Sequence, residues 1–227
     1  MKKKKGILVG GGPINYPFLR RELAKEHDLL IAVDGGGRIL HELGQLPDLV
    51  LGDYDSLAPS AQEYFTGQGV RLLTAEQDQD RTDLEIGLEL AAEQALAELL
   101  VFGGLGGRLD HTLANLSLMY KAKLNQTNML LVGPEQLVTM LAPGEQVVIT
   151  PFAGGHFSLI PYSSPLSGVK VTGARYPLHA ATIAPGSTLG IHNEFLTAPV
   201  EVSLQSGYLL LVIEGLAHWR GGIEIFQ

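Results

Sequence analysis

Four stretches of this chain gather residue types able to handle a phosphorylated ligand together with a metal ion. The first is Gly103-Gly104-Leu105-Gly106-Gly107-Arg108-Leu109-Asp110-His111-Thr112. Its glycines bend the backbone where side chains would obstruct it and leave amide groups bare. Arg108 follows with a planar fork of donors suited to phosphate oxygens, and Asp110 places a carboxylate beside it. The other three stretches are acidic. Asp34 ends Ile31-Ala32-Val33 and precedes Gly35-Gly36-Gly37, while Asp53 and Asp55 sit in Gly52-Asp53-Tyr54-Asp55-Ser56. Asp78, Asp80, Asp83 and Glu85 crowd the third, around Gln79, Arg81 and Thr82.

In an extended segment, residues two apart share a side, so Asp53 and Asp55 could face one cation. Magnesium favours carboxylates, water and phosphate oxygens, which makes such a pair a platform for a metal-bound nucleotide. Asp and Ser are also common turn formers, so a plain turn is the competing reading of the same five residues. Thr82 stands where a helix cap would, with Glu85 completing a capping box, and both read as structural. Asp83 in that first turn is favoured by the helix dipole whether or not it binds metal. His111 is either a site residue beside Asp110 or a hydrogen-bonding residue at a helix start. Gly10-Gly11-Gly12-Pro13 could approach a phosphate, but it lacks the spacing of a dinucleotide fingerprint or a P-loop and serves equally as a tight turn.

These residues need elements to position them. Short apolar runs at 7–9, 29–33, 49–51, 70–73, 99–102 and 129–132 read as strands. Helical patterns at 15–26, 38–43, 82–96 and 112–124 separate several of them. Strands that are apolar throughout and alternate with helices imply a mostly parallel sheet covered on both faces, a three-layer α/β/α domain. Asp34, Asp53 and the glycine-rich turn then fall at carboxyl ends of strands, the edge where open parallel sheets bind ligands. Beyond residue 133 the texture changes to β-type runs at 137–141, 146–150, 156–160, 168–172, 200–204 and 208–214, punctuated by prolines and without a helical pattern. That half reads as a smaller all-β sandwich. The expected division is 1–135 and 136–227.

Composition narrows the chemistry. The chain has 227 residues, 45% of them hydrophobic, enough for a core in each half. A net charge of -8 argues against a nucleic-acid backbone as partner but not against a nucleotide, since local arginines and metal reverse the field. With no cysteine, thiolate metal sites, disulfides and cysteine nucleophiles are excluded. Lys2 to Lys5 followed by Ile7-Leu8-Val9 is too short to be a signal core or a membrane span. A cytoplasmic protein without membrane contact is expected. There is no Gly-x-Ser-x-Gly elbow, no His-Glu-x-x-His and no metal-like histidine spacing.

Taken together and in order, Val33-Asp34-Gly35-Gly36, residues 52–56, 78–83 and 103–115, and then 173–178 and 190–195, resemble the thiamin pyrophosphokinase family. The resemblance covers nearly the whole chain; each motif is weak alone, and the ordered set is specific. It implies an α/β nucleotide-binding domain at 1–135 followed by a thiamin-binding β-sandwich at 136–227. It also implies transfer of the pyrophosphoryl group of ATP to the hydroxyethyl oxygen of thiamin, giving thiamin diphosphate and AMP with Mg2+ as the metal. By motif, Asp53, Asp55 and Asp83 correspond to magnesium ligands, and Gln79, Arg108 and Asp110 to catalytic residues, with Asp110 a candidate general base. Asp34, Gly35, Gly104, Gly107 and His111 correspond to nucleotide-binding positions, and His192 and Asn193 to the thiamin pocket. The family's homodimers form their active sites between subunits, so a second copy is an implied partner. The family usually has Ser-Asn where this chain reads His192-Asn193. That departure leaves room for a related pyrophosphokinase acting on another alcohol, such as a hydroxymethylpterin. A non-catalytic Mg-nucleotide or thiamin-binding module is the other alternative, against which the number of acidic residues weighs.

Overall fold

The structure is a computed structural model, described here for residues 3–53, 55, 57–74, 80–216 and 222–226. It divides into two compact units, Met1–Pro134 and Glu135–Gln227.

The first unit is built on six parallel strands: β1 (Lys5–Val9), β2 (Leu29–Val33), β3 (Leu49–Leu51), β4 (Arg71–Leu73), β5 (Glu98–Phe102) and β6 (Asn128–Val132). They lie in the order β6-β5-β1-β2-β3-β4. Ile7, Leu8, Val9, Leu99, Val101 and Phe102 are fully or almost fully buried, which explains the unbroken apolar runs. Five helices connect the strands: α1 (Tyr16–Leu23), α2 (Gly36–Glu42), α3 (Pro59–Gly67), α4 (Asp83–Glu93) and α5 (Leu109–Leu124). From β1 the chain steps outward through β2, β3 and β4, then returns to β5 on the other side of β1 and steps away to β6. With right-handed crossovers, that reversal puts α1, α2 and α3 on one face and α4 and α5 on the other. The strand order therefore switches between β1 and β5, and their carboxyl ends open a crevice.

Local sequence sets the helix starts. Asn15 caps α1 by accepting from the Phe18 amide at 3.0 Å, and Thr82 caps α4 by accepting from Glu85 N at 3.2 Å. Helix α3 falls where no helical pattern was expected. Only Ala61 and Phe65 of its residues are buried, a stripe one side chain wide on an otherwise polar segment.

The second unit consists of antiparallel strands in two sheets. One sheet runs β12 (Asn193–Glu194), β9 (His156–Pro161), β14 (Leu209–Glu214), β7 (Gln136–Leu141). The other runs β11 (Leu178–Ile183), β10 (Leu166–Thr172), β13 (Val200–Ser203), β8 (Gln146–Ile149), β15 (Ile223–Phe226). Burial alternates as a two-layer sandwich requires: Val147, Ile149, Val169, Val171, Val200 and Val202 point inward from one sheet, and Phe157, Leu159, Leu209, Leu211 and Ile213 from the other. Strand β11 also escaped the sequence reading. Only one of its six residues is buried, it pairs with β10 through register shifts, and it holds Ala180 at a φ of 51°, so the period-two signal is broken. Among the described residues no helix is long and apolar enough to cross a membrane.

Candidate active site

The crevice at the β1–β5 switch is held open by backbone rather than by side chains. The Gly10 amide donates to Phe102 O at 2.8 Å, so the turn after β1 lies flat against the turn after β5. Gly103 has a φ of 73°, and a Cβ there would stand 2.5 Å from Gly10 O. A Cβ on Gly11 would come within 3.0 Å of Gly35 Cα, the start of the turn after β2. Three strand ends thus meet through glycines, which no larger residue permits at this spacing.

Above them lies a cavity of about 540 Å³ within the first unit. Of the expected site residues it is lined by Asp34, Gly35, Asp83, Gly104, Gly107, Arg108 and His111. Asp53, Asp55 and Asp110 are not part of its wall, and Gln79 lies outside the described residues. The first turns of α4 and α5 contribute Asp83 and Arg108 with His111, so two helix N-termini border a space ringed by glycine amides. Such a space attracts anions.

Its acidic side centres on Asp34. The Asp34 amide donates to Leu51 O at 2.8 Å, tying the ends of β2 and β3, and its φ of 49° turns the carboxyl toward Gly52. Burial, the Asp83 carboxyl that hydrogen-bonds it, and the charge of Asp53 push Asp34 up to about 7. Asp34 after β2, Asp53 after β3 and Asp83 at the start of α4 therefore share one field. Asp55 is one step removed: its amide donates to Asp53 Oδ1 at 3.0 Å, closing an Asx turn that keeps both side chains exposed. Among the described residues no three histidine or acidic side chains form a ready-made metal cage. Magnesium does not need one, because it binds through one or two carboxylates and keeps waters and phosphate oxygens. Burial is the first cause of the rise at Asp34, and the charges of Asp83 and Asp53 that add to it are what a divalent cation would offset, so the acidic set fits that ion.

The basic side holds a pair and two arginines that pattern reading passed over. Arg108 and Asp110 join in a fork, Nε to Oδ1 at 3.1 Å and Nη2 to Oδ2 at 2.6 Å, with both side chains exposed. Asp110 Oδ1 also accepts from the His111 amide at 2.9 Å. Arg108, and then that amide, holds Asp110 down to about 2, a value that leaves it little affinity for a proton at neutral pH. Its geometry suits a holder of the guanidinium better than a general base. Arg38 and Arg81 also line the cavity, paired respectively with Glu42 at 2.9 Å and Glu89 at 2.7 Å. Asn115, buried in α5, donates from Nδ2 to Gly104 O at 2.8 Å and so ties the glycine turn to its own helix. The signal for it was a polar residue on the buried stripe of α5, between Gly104's turn and Leu118.

In the second unit, His192 is exposed, with a φ of 58°, and its amide donates to Ser158 Oγ at 3.0 Å. Its ring stacks on His156 with centroids 4.1 Å apart and planes 22° from parallel. Asn193 is buried and behaves as a strut. Its Oδ1 accepts from the Tyr176 amide at 3.0 Å and its Nδ2 donates to Tyr176 O at 2.7 Å. The two loops at 173–178 and 190–195, separate in sequence, are thereby one structure, also joined by Arg175–Glu194 at 3.1 Å.

Residues 20–131 match the thiamin pyrophosphokinase catalytic domain as a family, and residues 145–209 match the thiamin pyrophosphokinase vitamin B1 binding domain. Over 205 residues the chain is 31% identical to a thiamine pyrophosphokinase of Bacillus subtilis, covering 90% of this chain and 96% of that one. A crystal structure of thiamine pyrophosphokinase from Bacillus subtilis superimposes with a TM-score of 0.85 at 30% identity, over 93% of this chain and 99% of that one. One from Geobacillus thermodenitrificans gives 0.81, also at 30% identity, over 93% and 97%.

Proposed function

The chain belongs to the thiamin pyrophosphokinase family, and we propose that it is a transferase moving the pyrophosphoryl group of ATP onto thiamin, to give thiamin diphosphate and AMP. The observation that carries this reading is the cavity at the β1–β5 switch, which glycine backbone and Arg108 line together with the carboxyls of Asp34 and Asp83. A magnesium polyphosphate presents both charges at once, and such a cavity answers both.

In this reading the first unit is the nucleotide domain and the second carries the acceptor pocket at His192 and Asn193. Asp53, Asp55 and Asp83 are the ligands for Mg2+, with Asp34 beside the nucleotide. When bound, the ion neutralises charge that develops on the phosphate oxygens. Gly35, Gly104 and Gly107 admit phosphate oxygens to the backbone, and His111 closes the cavity at the start of α5. Arg108 grips the transferring group, held in direction by Asp110, and Gln79 completes the catalytic set.

The thiamin hydroxyl oxygen attacks the β-phosphorus in line. A new oxygen–phosphorus bond forms as the bond from the β-phosphorus to the bridging oxygen of AMP breaks; AMP leaves with that electron pair, and the hydroxyl proton passes to solvent. Little covalent work falls to the protein, so rate comes from positioning and electrostatics. The family's homodimer and a cytoplasmic site of action, where ATP is at hand, are part of the same proposal. Exposed Leu109 and Leu113 beside Arg108 support a partner surface there.

Incubation with Mg·ATP and thiamin should yield AMP and thiamin diphosphate in equal amounts. AMP appearing only with a hydroxymethylpterin, because His192 reshapes the acceptor pocket, would replace the acceptor but keep the reaction.

A further inference from the structure

Arg81 is a cavity-lining cation two residues before Asp83 in the chain. It lines the cavity and precedes the cap Thr82, which fixes the start of α4, and Asp83 follows directly. A cationic fork and an acidic group are thus placed within three residues on one rigid helix start. Its guanidinium is turned back along the helix by Glu89, with Nη1 to Oε2 at 2.7 Å. Glu89 is itself held from the neighbouring helix: Lys121 of α5 reaches its Oε1 at 2.6 Å and Glu85 Oε1 at 2.9 Å. Lys121 therefore competes for the charge that Glu89 gives Arg81. Arg38, by contrast, pairs with Glu42 on its own helix.

Resting on the nucleotide reading above, we infer that Arg81 is a further polyphosphate-binding residue, gripping the phosphates nearest the metal, and that Glu89 and Lys121 position it. Both helices that border the cavity, α4 and α5, contribute residues to this relay, Glu89 from one and Lys121 from the other. A lysine at this place would supply charge without the fork that matches two phosphate oxygens.

The test is calorimetric titration of the full chain with Mg·tripolyphosphate, Mg·ATP and AMP, in the wild type, Arg81→Gln, Glu89→Gln and the double variant. Losing one charge-assisted contact weakens Mg·tripolyphosphate and Mg·ATP alike by about ten- to hundredfold, and leaves AMP within about twofold. Glu89→Gln weakens both polyphosphates by a smaller factor, and adding it to Arg81→Gln brings no further loss, because its effect runs through Arg81. In turnover, KM for Mg·ATP rises while KM for thiamin stays. Arg81→Lys falls between wild type and Gln, and it serves as the reporting variant if Gln does not fold. Unchanged tripolyphosphate affinity in Arg81→Gln, with only a lowered Tm, would show a helix clamp and overturn the inference. Losses that simply multiply in the double variant would overturn the role of Glu89. Failure of the wild type to convert thiamin would refute the acceptor, not this inference, since the tripolyphosphate difference needs no turnover.

Discussion

Asp110 and Arg108 are joined by two parallel hydrogen bonds, 3.1 and 2.6 Å, on the first turn of α5. Both are exposed, so the pair adds little to stability; its value is geometric. Asp110→Asn should lower kcat on the order of 10²-fold, with Tm nearly unchanged, by letting the guanidinium swing. Arg108→Gln should cost at least as much, and the double variant little more than the worse single one. Steady-state kinetics on the four proteins decides this. Because Asp110 is held at about 2, its charge is lost only as pH falls toward that value. The wild type and Asp110→Asn should therefore share the shape of their rate profiles above about pH 5. A limb present only in the wild type would make Asp110 the proton acceptor after all.

Asp34 predicts a pH effect of opposite sign. Its folded value of about 7 lies above the ordinary 3.8, so the folded chain keeps a proton that the unfolded chain releases. That contribution is fully present below 3.8 and is lost as pH rises through 7. Without metal, Asp34→Asn should melt above the wild type at about pH 8, with the gap closing toward pH 5. Asn tolerates the positive φ of this position, so the comparison is fair. Magnesium should raise the wild-type Tm at high pH more than that of the variant. A pH-independent gap would contradict the shared field of Asp34, Asp83 and Asp53.

The glycine seam predicts a coupled loss. Gly103→Ala strains a φ of 73° and drives a methyl toward Gly10 O, so it should cost about 1–3 kcal/mol and weaken Mg·ATP binding together. Asn115→Ala leaves the buried Gly104 carbonyl without its donor, at about 1–3 kcal/mol, and should loosen the same turn. Denaturant unfolding and nucleotide titration on each variant check both halves. Full stability in Gly103→Ala would mean that the strand ends need not touch.

In the second unit, Asn193→Ala should raise KM for thiamin several-fold and leave KM for Mg·ATP alone, since it frees the Tyr176 loop. His192→Ser removes the stacked imidazole while keeping a small polar group, and should move the same constant. Either variant shifting only the Mg·ATP constant would remove these loops from the acceptor pocket.

Strand ends were the legible part of this sequence. Ile7-Leu8-Val9, Leu49-Val50-Leu51 and Leu99 to Phe102 are apolar throughout because both faces are covered, and a short acidic or glycine-rich segment follows each of them directly. The parallel sheet, the change to a β-sandwich, and the motifs that mark the family all follow from that regularity. Less visible were features that depend on side chains meeting across the fold. Arg81 reads only as one residue of the 78–83 stretch until its pairing with Glu89, itself held by Lys121, is seen. Asn193 reads as a contact residue until both ends of its amide are found on the Tyr176 backbone. Helix α3 hides because two buried residues make too narrow a stripe, and β11 because its register shifts erase alternation.

The most direct measurement is product analysis of the wild-type chain with Mg·ATP and thiamin, separating nucleotides and thiamin esters on one chromatogram. Equal amounts of AMP and thiamin diphosphate are expected, with turnover lost in Asp83→Asn while the fold is retained. ADP with thiamin monophosphate, or ATP bound but unchanged with every alcohol offered, would contradict pyrophosphoryl transfer at this site.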